Sequence, residues 1–276
     1  MTSIRNLDYG SVAARELIEE QCRTFDPSTN LISAQNTVNL VIRFTKEIAV
    51  KFGIGVVHAE ACALQFAHDH LDPALVKVPK LIQFFTAQTN KSWTIGYIVM
   101  ELVSGTPLDE IEDVECASMT LRLTRIIDHM HTLTDPRPGP LGGGHARGLL
   151  WSEYSSGQDF KSTKDLQAYL QSRFDVVDGP GSIDVTKSRL CFCHMDISPR
   201  NILLDGDGSV ALLDWGCAGF YPSIFEIWSV QLETHMRPNP TWQLLSSTIE
   251  TRLGKEDRLG LAALSQVYRA NQSFML

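Results

Sequence analysis

Hydrophobic and polar residues alternate through much of the first hundred residues, a pattern that predicts β-strands. In VNLVIRF (38–44) every second residue is apolar, which is the period of a strand with one buried face. In EIAVKF (47–52) three apolar residues share one face, so Lys51 points to the other face. VPKLIQFF (78–85) and SWTIGYIVMEL (92–102) predict two further strands.

Helical spacing of apolar residues appears before, between and after these strands. SVAARELIEEQC (11–22) predicts an amphipathic helix, and residues 58–71 repeat their apolar positions every three or four residues. A third helix is predicted to end near His131, and residues 223–276 are predicted to be mostly helical.

A glycine and a proline in SGTPLDE (104–110) interrupt the apolar pattern, and we place the boundary between two lobes there. The order of elements predicts an α+β fold. Its strand-rich N-terminal lobe comprises residues 1–103, and its helix-rich C-terminal lobe, with one hairpin, comprises residues 104–276. Between these elements, TDPRPGPLGGGHARG (134–148) predicts a long loop.

The hairpin of the second lobe is predicted around DGDGS (205–209), which is a strong turn sequence between two apolar runs. A turn centred near residue 207 pairs residues whose numbers sum to about 414. Asn201 then lies across from residue 213, beside Asp214. Asp196 stands five positions before Asn201, so all three polar side chains are expected at the open end of the hairpin.

Carboxylate and amide oxygens, such as those of Asp196, Asn201 and Asp214, are the ligands that Mg²⁺ prefers. Two of them leave room for waters and substrate phosphates. One aspartate and the asparagine would hold the metal, and the other aspartate would be free to act as a base. Each residue alone also suits a turn or a cap, but the three together, with Lys51 and Glu60 upstream, favour a functional site.

The net charge of −8 at pH 7 argues against a nucleic-acid-binding protein, because the chain has no basic excess to meet phosphates. The N-terminal residues contain no apolar signal core, and no apolar run approaches the length of a membrane span. We therefore expect a soluble protein of the cytoplasm that neither crosses a membrane nor binds nucleic acid.

Six cysteines lie mostly within apolar runs, and none forms a C-x-x-C pair. This usage indicates reduced, partly buried thiols rather than disulfides or a zinc site. We interpret HDH (68–70) as a solvated helix end, and DHMH (128–131) as histidines at the negative end of a helix dipole.

HMDISPRN (194–201) resembles the catalytic loop of the kinase-like superfamily, whose pattern is H-x-D-x-x-x-x-N, in the form found in aminoglycoside phosphotransferase and choline kinase-like enzymes. LLDW (212–215) resembles the strand end that binds metal in that family. AVKF (49–52), followed by HAEACALQF (58–66), resembles its paired strand lysine and helix glutamate.

The resemblance extends beyond these motifs. IVMELVSGTPL (98–108) resembles the hinge between the lobes, and the similarity covers residues 38–235. AGFYP (218–222), after the Asp-Trp pair, is typical of fungal members of the family. The chain is thus expected to have a bilobal protein-kinase-like fold whose first lobe binds a nucleotide.

The resemblance implies a role for each matching polar residue. Asp196 would accept the proton of the acceptor hydroxyl, and Asn201 and Asp214 would coordinate Mg²⁺. Lys51 would hold the α- and β-phosphates of ATP and would be oriented by Glu60.

The hinge is expected to bind the adenine of ATP. Met100 would lie at the back of the adenine pocket. The backbone carbonyl of Glu101 and the backbone amide of Val103 would meet the adenine edge. His194 is expected to brace the catalytic loop rather than to take part in the chemistry.

The glycine-rich loop that covers ATP phosphates in the superfamily is missing, because no glycine occurs between Gly10 and Gly53. SAQN (33–36) occupies its place. There Ser33 and Asn36 could donate hydrogen bonds to phosphates.

These observations predict an ATP- and Mg²⁺-dependent phosphotransferase that acts on a hydroxyl of a small molecule: an amino alcohol, a sugar or a secondary metabolite. Met195 stands where the family usually has glycine, and Gly216 where many relatives have an acidic residue. The alternative is a kinase-like fold that has lost or redirected phosphoryl transfer and binds or transforms another small molecule. A protein acceptor is less expected, because no extended activation segment follows Asp214.

Overall fold

The computed structural model of the protein describes residues 8–33, 38–89, 93–151, 155–177 and 182–274. The helices are α1 (Val12–Thr24), α2 (His58–His70), α3 (Cys116–Met130), α4 (Thr163–Phe174), α5 (Ile224–Met236), α6 (Pro240–Glu250) and α7 (Lys255–Phe274). The strands are β1 (Asn39–Arg43), β2 (Ile48–Gly53), β3 (Leu81–Gln88), β4 (Thr94–Glu101), β5 (Thr106–Pro107), β6 (Leu190–Cys193), β7 (Ile202–Leu204), β8 (Val210–Leu212) and β9 (Gly219–Pro222). A strand-rich N-terminal part and a helical C-terminal part confirm the predicted bilobal α+β fold.

Four antiparallel strands form the N-terminal sheet in the order β1-β2-β4-β3. The apolar side chains of β2, including the buried Val50, pack with α1 in a cluster on one face of the sheet. Lys51 lies on the opposite face, as the alternation in the sequence predicts, and it faces α2. The sheet therefore presents one cationic side chain from its central region to the interior of the molecule.

The hairpin of the C-terminal part has the predicted register. Ile202 pairs with Leu212, and Leu203 pairs with Ala211, so the paired numbers sum to 414. The amide of Leu213 donates to the carbonyl of Asn201 at 2.8 Å, which closes the open end of the hairpin. Because Asn201 is bonded to Leu213, it lies beside the next residue, Asp214.

Two further strand pairs surround this hairpin. β5 adds to β7, and β6 pairs with β9 in a separate two-stranded sheet. β6 ends directly before the HMDISPRN segment, so this sheet anchors the segment at its first residue. Because β5 already pairs with the C-terminal hairpin, its position agrees with a lobe boundary near the hinge, but the division at residues 103 and 104 remains a prediction.

A large apolar core joins α2 to the C-terminal helices. At its centre, Trp151 is fully buried and packs against the rings of Phe160, Tyr169, Tyr221 and Phe225. α3 packs on α6, and α4 packs on α7. No helix in the described ranges has both the length and the apolar character that crossing a membrane requires.

α4 and β3 are two of the elements at which the structure differs from the sequence expectation. α4 was not predicted, because most of its residues are polar and its buried side chains are few. Its one local signal is Ser162, whose side chain accepts a hydrogen bond from the amide of Asp165 at the first turn. β3 begins at Leu81, three residues later than predicted; Pro79, which lies just before it, has no amide to offer a neighbouring strand.

Gly96 on β4 is a position where only glycine fits. A Cβ atom added there would lie 2.0 Å from the carbonyl oxygen of Val56, in the segment that leads into α2. Because Gly96 has no side chain, the segment that leads into α2 can pass close to the sheet. This close approach sets the position at which α2, which carries Glu60, begins.

We predict that Gly96→Ala destabilises the protein by about 1–3 kcal/mol or more, the usual cost of forcing extra atoms into a packed site. Gly206→Ala is the matched control, because a Cβ there meets no atom within 4 Å. The control is expected to change the free energy of unfolding by less than about 0.5 kcal/mol. Urea denaturation of the three proteins measures the difference, and equal midpoints would contradict the packing argument.

Candidate active site

Lys51 is held between two carboxylates that come from different parts of the chain. Its Nζ lies 2.6 Å from Oε1 of Glu60 in the first turn of α2 and 2.8 Å from Oδ1 of Asp214 after β8. The side chains of Lys51 and Glu60 are 9% and 6% exposed, whereas that of Asp214 is 44% exposed. The Lys51–Glu60 ion pair expected from the sequence is therefore present, and Asp214 turns it into a triad open to solvent on one side.

Burial and Lys51 have opposite effects on the pKa of each carboxyl group in this triad. Burial raises the pKa of the Glu60 carboxyl, although Lys51 acts in the opposite direction. At Asp214 burial also opposes ionisation, but the Lys51 ammonium outweighs it and lowers the pKa. The carboxylate that faces the cleft is thus the one kept ionised by the lysine.

The backbone aims Asp214 into the cleft through an uncommon conformation. Its φ of +62° is left-handed, and its carboxylate accepts a long hydrogen bond of 3.4 Å from the amide of Gly216. A Cβ at Gly216 would lie 3.2 Å from Oε2 of Glu60. An acidic side chain at this position would therefore bring a further negative charge close to Glu60, which gives a physical reason for the glycine.

His194 braces the loop that follows β6, as expected. It is fully buried, its Nδ1 accepts from the amide of Asp196 at 3.2 Å, and its Nε2 donates to the carbonyl of Leu213 at 2.9 Å. These bonds assign the proton to Nε2. Burial lowers the pKa of His194 to about 4, so the imidazole is neutral near pH 7. The side chain thus links the loop to the end of β8 without carrying charge.

Glu226 on α5 holds the backbone of the HMDISPRN segment, and the sequence analysis did not single it out. Its carboxylate is fully buried and accepts hydrogen bonds from the backbone amides of His194 and Met195. Burial raises the pKa of this carboxyl to about 7. The only sequence signal is a single carboxylate inside the apolar run of α5.

Met195 has a left-handed backbone, with φ of +66°. Glycine adopts this conformation most easily, which accounts for the family's usual residue at this position. Here the backbone is held by Glu226 on its amide and by Ser229, whose hydroxyl donates to its carbonyl at 2.8 Å. The side chain of Met195 is 6% exposed and packs in the core, so it does not fill the cleft.

Asp196 and Asn201 are brought together, as the spacing predicted. The Asn201 amide nitrogen donates to the backbone carbonyl of Asp196 and to its Oδ2, each at 2.9 Å. These donors fix the orientation of the amide, so its oxygen faces away from Asp196. Burial raises the pKa of Asp196 more than its ion pair with Arg200 lowers it.

Arg200 and Glu233 were not singled out from the sequence. Arg200 pairs with Asp196 on one side and with Glu233 at 3.4 Å on the other, and Arg237 pairs with Glu233 at 2.7 Å. The side chain of Glu233 is only 5% exposed, so both arginines pair with a buried carboxylate. The candidate base therefore has a cation of this chain as its neighbour.

The hinge residues lie where β4 ends. Met100 is half-buried against the main core, and Glu101 is exposed. The amide of Leu102 donates to the carbonyl of Glu47 at 2.8 Å, whereas the Val103 amide forms no hydrogen bond within the described parts of the chain. This backbone thus offers a free donor at the edge of the cleft.

Ser33 has a structural contact at the position of the missing glycine-rich loop. Its hydroxyl accepts from the amide of Val41 at 3.0 Å, and its own amide donates to the Val41 carbonyl at 3.3 Å. This pairing places the chain before β1 at the edge of the N-terminal sheet. Asn36 lies outside the described residues.

The oxygen donors of the site fit a hard divalent cation. In Asn201 the amide nitrogen is used by Asp196, which leaves the amide oxygen available. In Asp214 one carboxylate oxygen contacts Lys51, which leaves the second oxygen available. Two such ligands beside a lysine are typical of sites that hold Mg²⁺ together with phosphates.

Comparison with known proteins gave one family and a set of similar folds. The model of the phosphotransferase enzyme family matches residues 55–264. No curated protein matches the sequence. A thermostable mutant of aminoglycoside phosphotransferase APH(4)-Ia, in ternary complex with AMP-PNP and hygromycin B, has a TM-score of 0.58 and 12% identity, over 96% of this chain and 91% of that chain.

A second similar structure is the GDP and kanamycin complex of APH(2")-IIia. Its TM-score is 0.50 and its identity is 12%, over 93% of this chain and 89% of that chain. At such identities the likeness supports the fold, and the shared fold agrees with the bilobal architecture described above.

We predict that Lys51→Met destabilises the protein by about 3–5 kcal/mol, because it leaves the buried Glu60 without its counter-ion. The pKa of Glu60 is already raised, and removing the lysine raises it further. The folded variant then binds a proton that the unfolded chain releases above its ordinary pKa near 4.5, so its stability falls as the pH rises from 5 to 8.

The double variant Lys51→Met with Glu60→Gln is the matched control. It carries no titrating group at position 60, so its free energy of unfolding should lose this pH dependence and should exceed that of Lys51→Met at pH 8. Urea denaturation at pH 5 and pH 8 tests both points. A single variant as stable as the unmodified protein at pH 8 would contradict the role of the ion pair.

Proposed function

Because this chain belongs to the phosphotransferase enzyme family, we propose that it transfers the γ-phosphoryl group of ATP to a hydroxyl of a small molecule. The observation that carries the proposal is the triad of Lys51 with Glu60 and Asp214, open on the side where Asp196 and Asn201 meet. This arrangement supports the proposal, because phosphoryl transfer needs a cation, a base and two oxygen ligands for a metal close together.

Asp196 acts as the base in this proposal. Its carboxylate accepts the proton of the acceptor hydroxyl while the hydroxyl oxygen bonds to the γ-phosphorus, and the bond from this phosphorus to the bridging oxygen breaks to release ADP. The hydrogen bond from Asn201 to Oδ2 and the amide contact with His194 hold Asp196 in place. The raised pKa of Asp196 makes its carboxylate a better proton acceptor than an exposed aspartate.

Lys51 binds the α- and β-phosphates, and Glu60 orients it. Its contacts with Glu60 and Asp214 hold the ammonium in one position, so the positive charge needs little reorganisation when a nucleotide binds. Asp214 and Asn201 would hold Mg²⁺, whose positive charge would be supplied to the phosphates.

The nucleotide base is proposed to bind at the hinge. The free amide of Val103 and the carbonyl of Glu101 would meet the adenine edge, with Met100 at the back of the pocket. Ser33 is already bonded to β1, and its role at the phosphates stays a prediction. The role of Asn36 at the phosphates stays a prediction.

The acceptor is proposed to be an amino alcohol, a sugar or a secondary metabolite. Hygromycin B and kanamycin, which are named in the two similar structures, are small hydroxyl-bearing molecules and therefore supply the first acceptors to test. Action in the cytoplasm and membership among the fungal relatives remain predictions from the sequence.

A second candidate function is a kinase-like fold whose phosphoryl transfer has been lost or redirected. The ion pair of Arg200 with Asp196 favours it, because the guanidinium occupies the carboxylate that an acceptor hydroxyl would have to reach. In the proposed phosphotransferase, the acceptor must coexist with this ion pair or displace it. A nucleotide-binding screen with and without Mg²⁺ separates the two candidates.

We predict that Asp196→Asn keeps nucleotide affinity but lowers single-turnover transfer by about a hundredfold or more, the usual scale for loss of a general base. Transfer is followed with γ-labelled ATP and a panel containing hygromycin B, kanamycin, choline and simple sugars. Asp207→Asn, at the exposed hairpin turn, makes the same charge change and should leave transfer unaltered. Undiminished transfer by Asp196→Asn would rule out the assigned role.

A further inference from the structure

Behind the catalytic loop, three potential metal ligands meet that the proposed function does not use. Cys191 and Cys193 occupy alternate positions of β6 and thus share one face of the strand, and His131 caps the C-terminal end of α3. The two sulfurs and an imidazole nitrogen all lie within 4.8 Å of one another. Both cysteines are at most 3% exposed, and His131 is half-buried.

The spacing of the two sulfurs fits a shared metal ion. They lie 3.8 Å apart. Two sulfurs at the usual 2.3 Å from one Zn²⁺ in a tetrahedron are about 3.8 Å from each other. Thiolate and imidazole together select thiophilic cations over Mg²⁺ or Ca²⁺.

A disulfide suits these residues poorly. Side chains two apart on a strand have Cβ atoms about 6–7 Å from each other, given the rise per residue. A disulfide requires Cβ atoms about 3.5–4.5 Å apart. Both thiols are free, so the pair keeps its ligand atoms.

The hydrogen bonds around the cluster are weak or missing. The sulfurs of Cys191 and Cys193 reach the carbonyl of Tyr221 at 3.4 Å and 3.8 Å. The buried Nε2 of His131 has no hydrogen-bond partner within the described part of the chain. A buried polar nitrogen without a partner is costly, and a bound cation would satisfy it.

The charges of the cluster also suit a divalent cation. Two thiolates, one neutral imidazole and one divalent cation sum to zero charge, which is the favourable state for a buried site. A metal ion would reach the cluster past His131, which is only half-buried.

We propose that His131, Cys191 and Cys193 form a binding site for one thiophilic divalent cation, with Zn²⁺ as its probe. The site would brace the catalytic loop from behind, because Cys193 directly precedes His194. Glu226, which holds the amides of His194 and Met195, lies close enough to act electrostatically on His131. The inference departs from the expectation, drawn from the sequence, of reduced thiols rather than a zinc site, and it is independent of the proposed phosphotransfer.

A second cysteine–histidine pair supplies the matched control. Cys62 and His58 on α2 approach to 3.6 Å, so they resemble the site chemically, but this pair has only two ligands. Cys62→Ser therefore removes a comparable thiol without touching the proposed site.

The test is Zn²⁺ binding by the full chain after its metals have been removed with a chelator. Competition with a chromophoric chelator should give one Zn²⁺ per chain for the unmodified protein and for Cys62→Ser. Cys191→Ser should weaken the Zn²⁺ affinity at least about a hundredfold. Loss of a residue that only supports a ligand already weakens metal affinity by about 10- to 100-fold, and loss of the ligand itself should cost more. Equal Zn²⁺ affinity in Cys191→Ser and Cys62→Ser would overturn the site.

Co²⁺ in place of Zn²⁺ gives a readout that does not depend on any variant. The unmodified protein should show thiolate-to-cobalt charge-transfer absorption with the intensity expected for two thiolate ligands. Lack of this absorption in the unmodified protein would overturn the proposal even if Cys191→Ser failed to fold. Neither readout uses phosphoryl transfer, so the outcome does not depend on whether the protein is an active kinase.

Discussion

The buried ammonium of Lys51 is the constraint on which the rest of the structure depends. An isolated charge in the interior is costly, so Lys51 is stable there only with carboxylates in contact. One carboxylate comes from α2 and the other from the end of the β7–β8 hairpin. Since these elements are distant in the chain, the three charges fix the N-terminal sheet, α2 and the β7–β8 hairpin relative to one another.

The catalytic loop is held by buried polar groups. Glu226 binds two consecutive amides of the loop, and His194 ties it to the end of β8. These contacts hold the backbone in place although two of its residues, Met195 and Asp214, have left-handed conformations. The strain is thus located where the side chains of Asp196 and Asp214 must project into the cleft. The proposed cation site would add a third anchor to the same segment.

Local sequence patterns predicted the strands, the hairpin register and the Lys51–Glu60 contact, because period, turn chemistry and family motifs are encoded in adjacent residues. Contacts between distant segments left no such pattern: Glu226 binds the amides of His194 and Met195, and Glu233 pairs with Arg200, only after α5 has packed under the loop. α4 was missed because its apolar face is narrow. The thiol–imidazole cluster was missed because His131 and Cys191 are sixty residues apart and meet only through packing.

The most direct test is the melting temperature with ATP, measured with and without Mg²⁺. A ligand at a hundred times its dissociation constant stabilises the native state by about 2.7 kcal/mol, and each kcal/mol raises Tm by about 2–4 °C in a protein of this size. If Asp214 and Asn201 hold Mg²⁺ against phosphates, the rise should require Mg²⁺, vanish in Asp214→Asn and persist in Asp207→Asn. No Mg²⁺-dependent rise in the unmodified protein at millimolar ATP would contradict the account and favour the redirected fold.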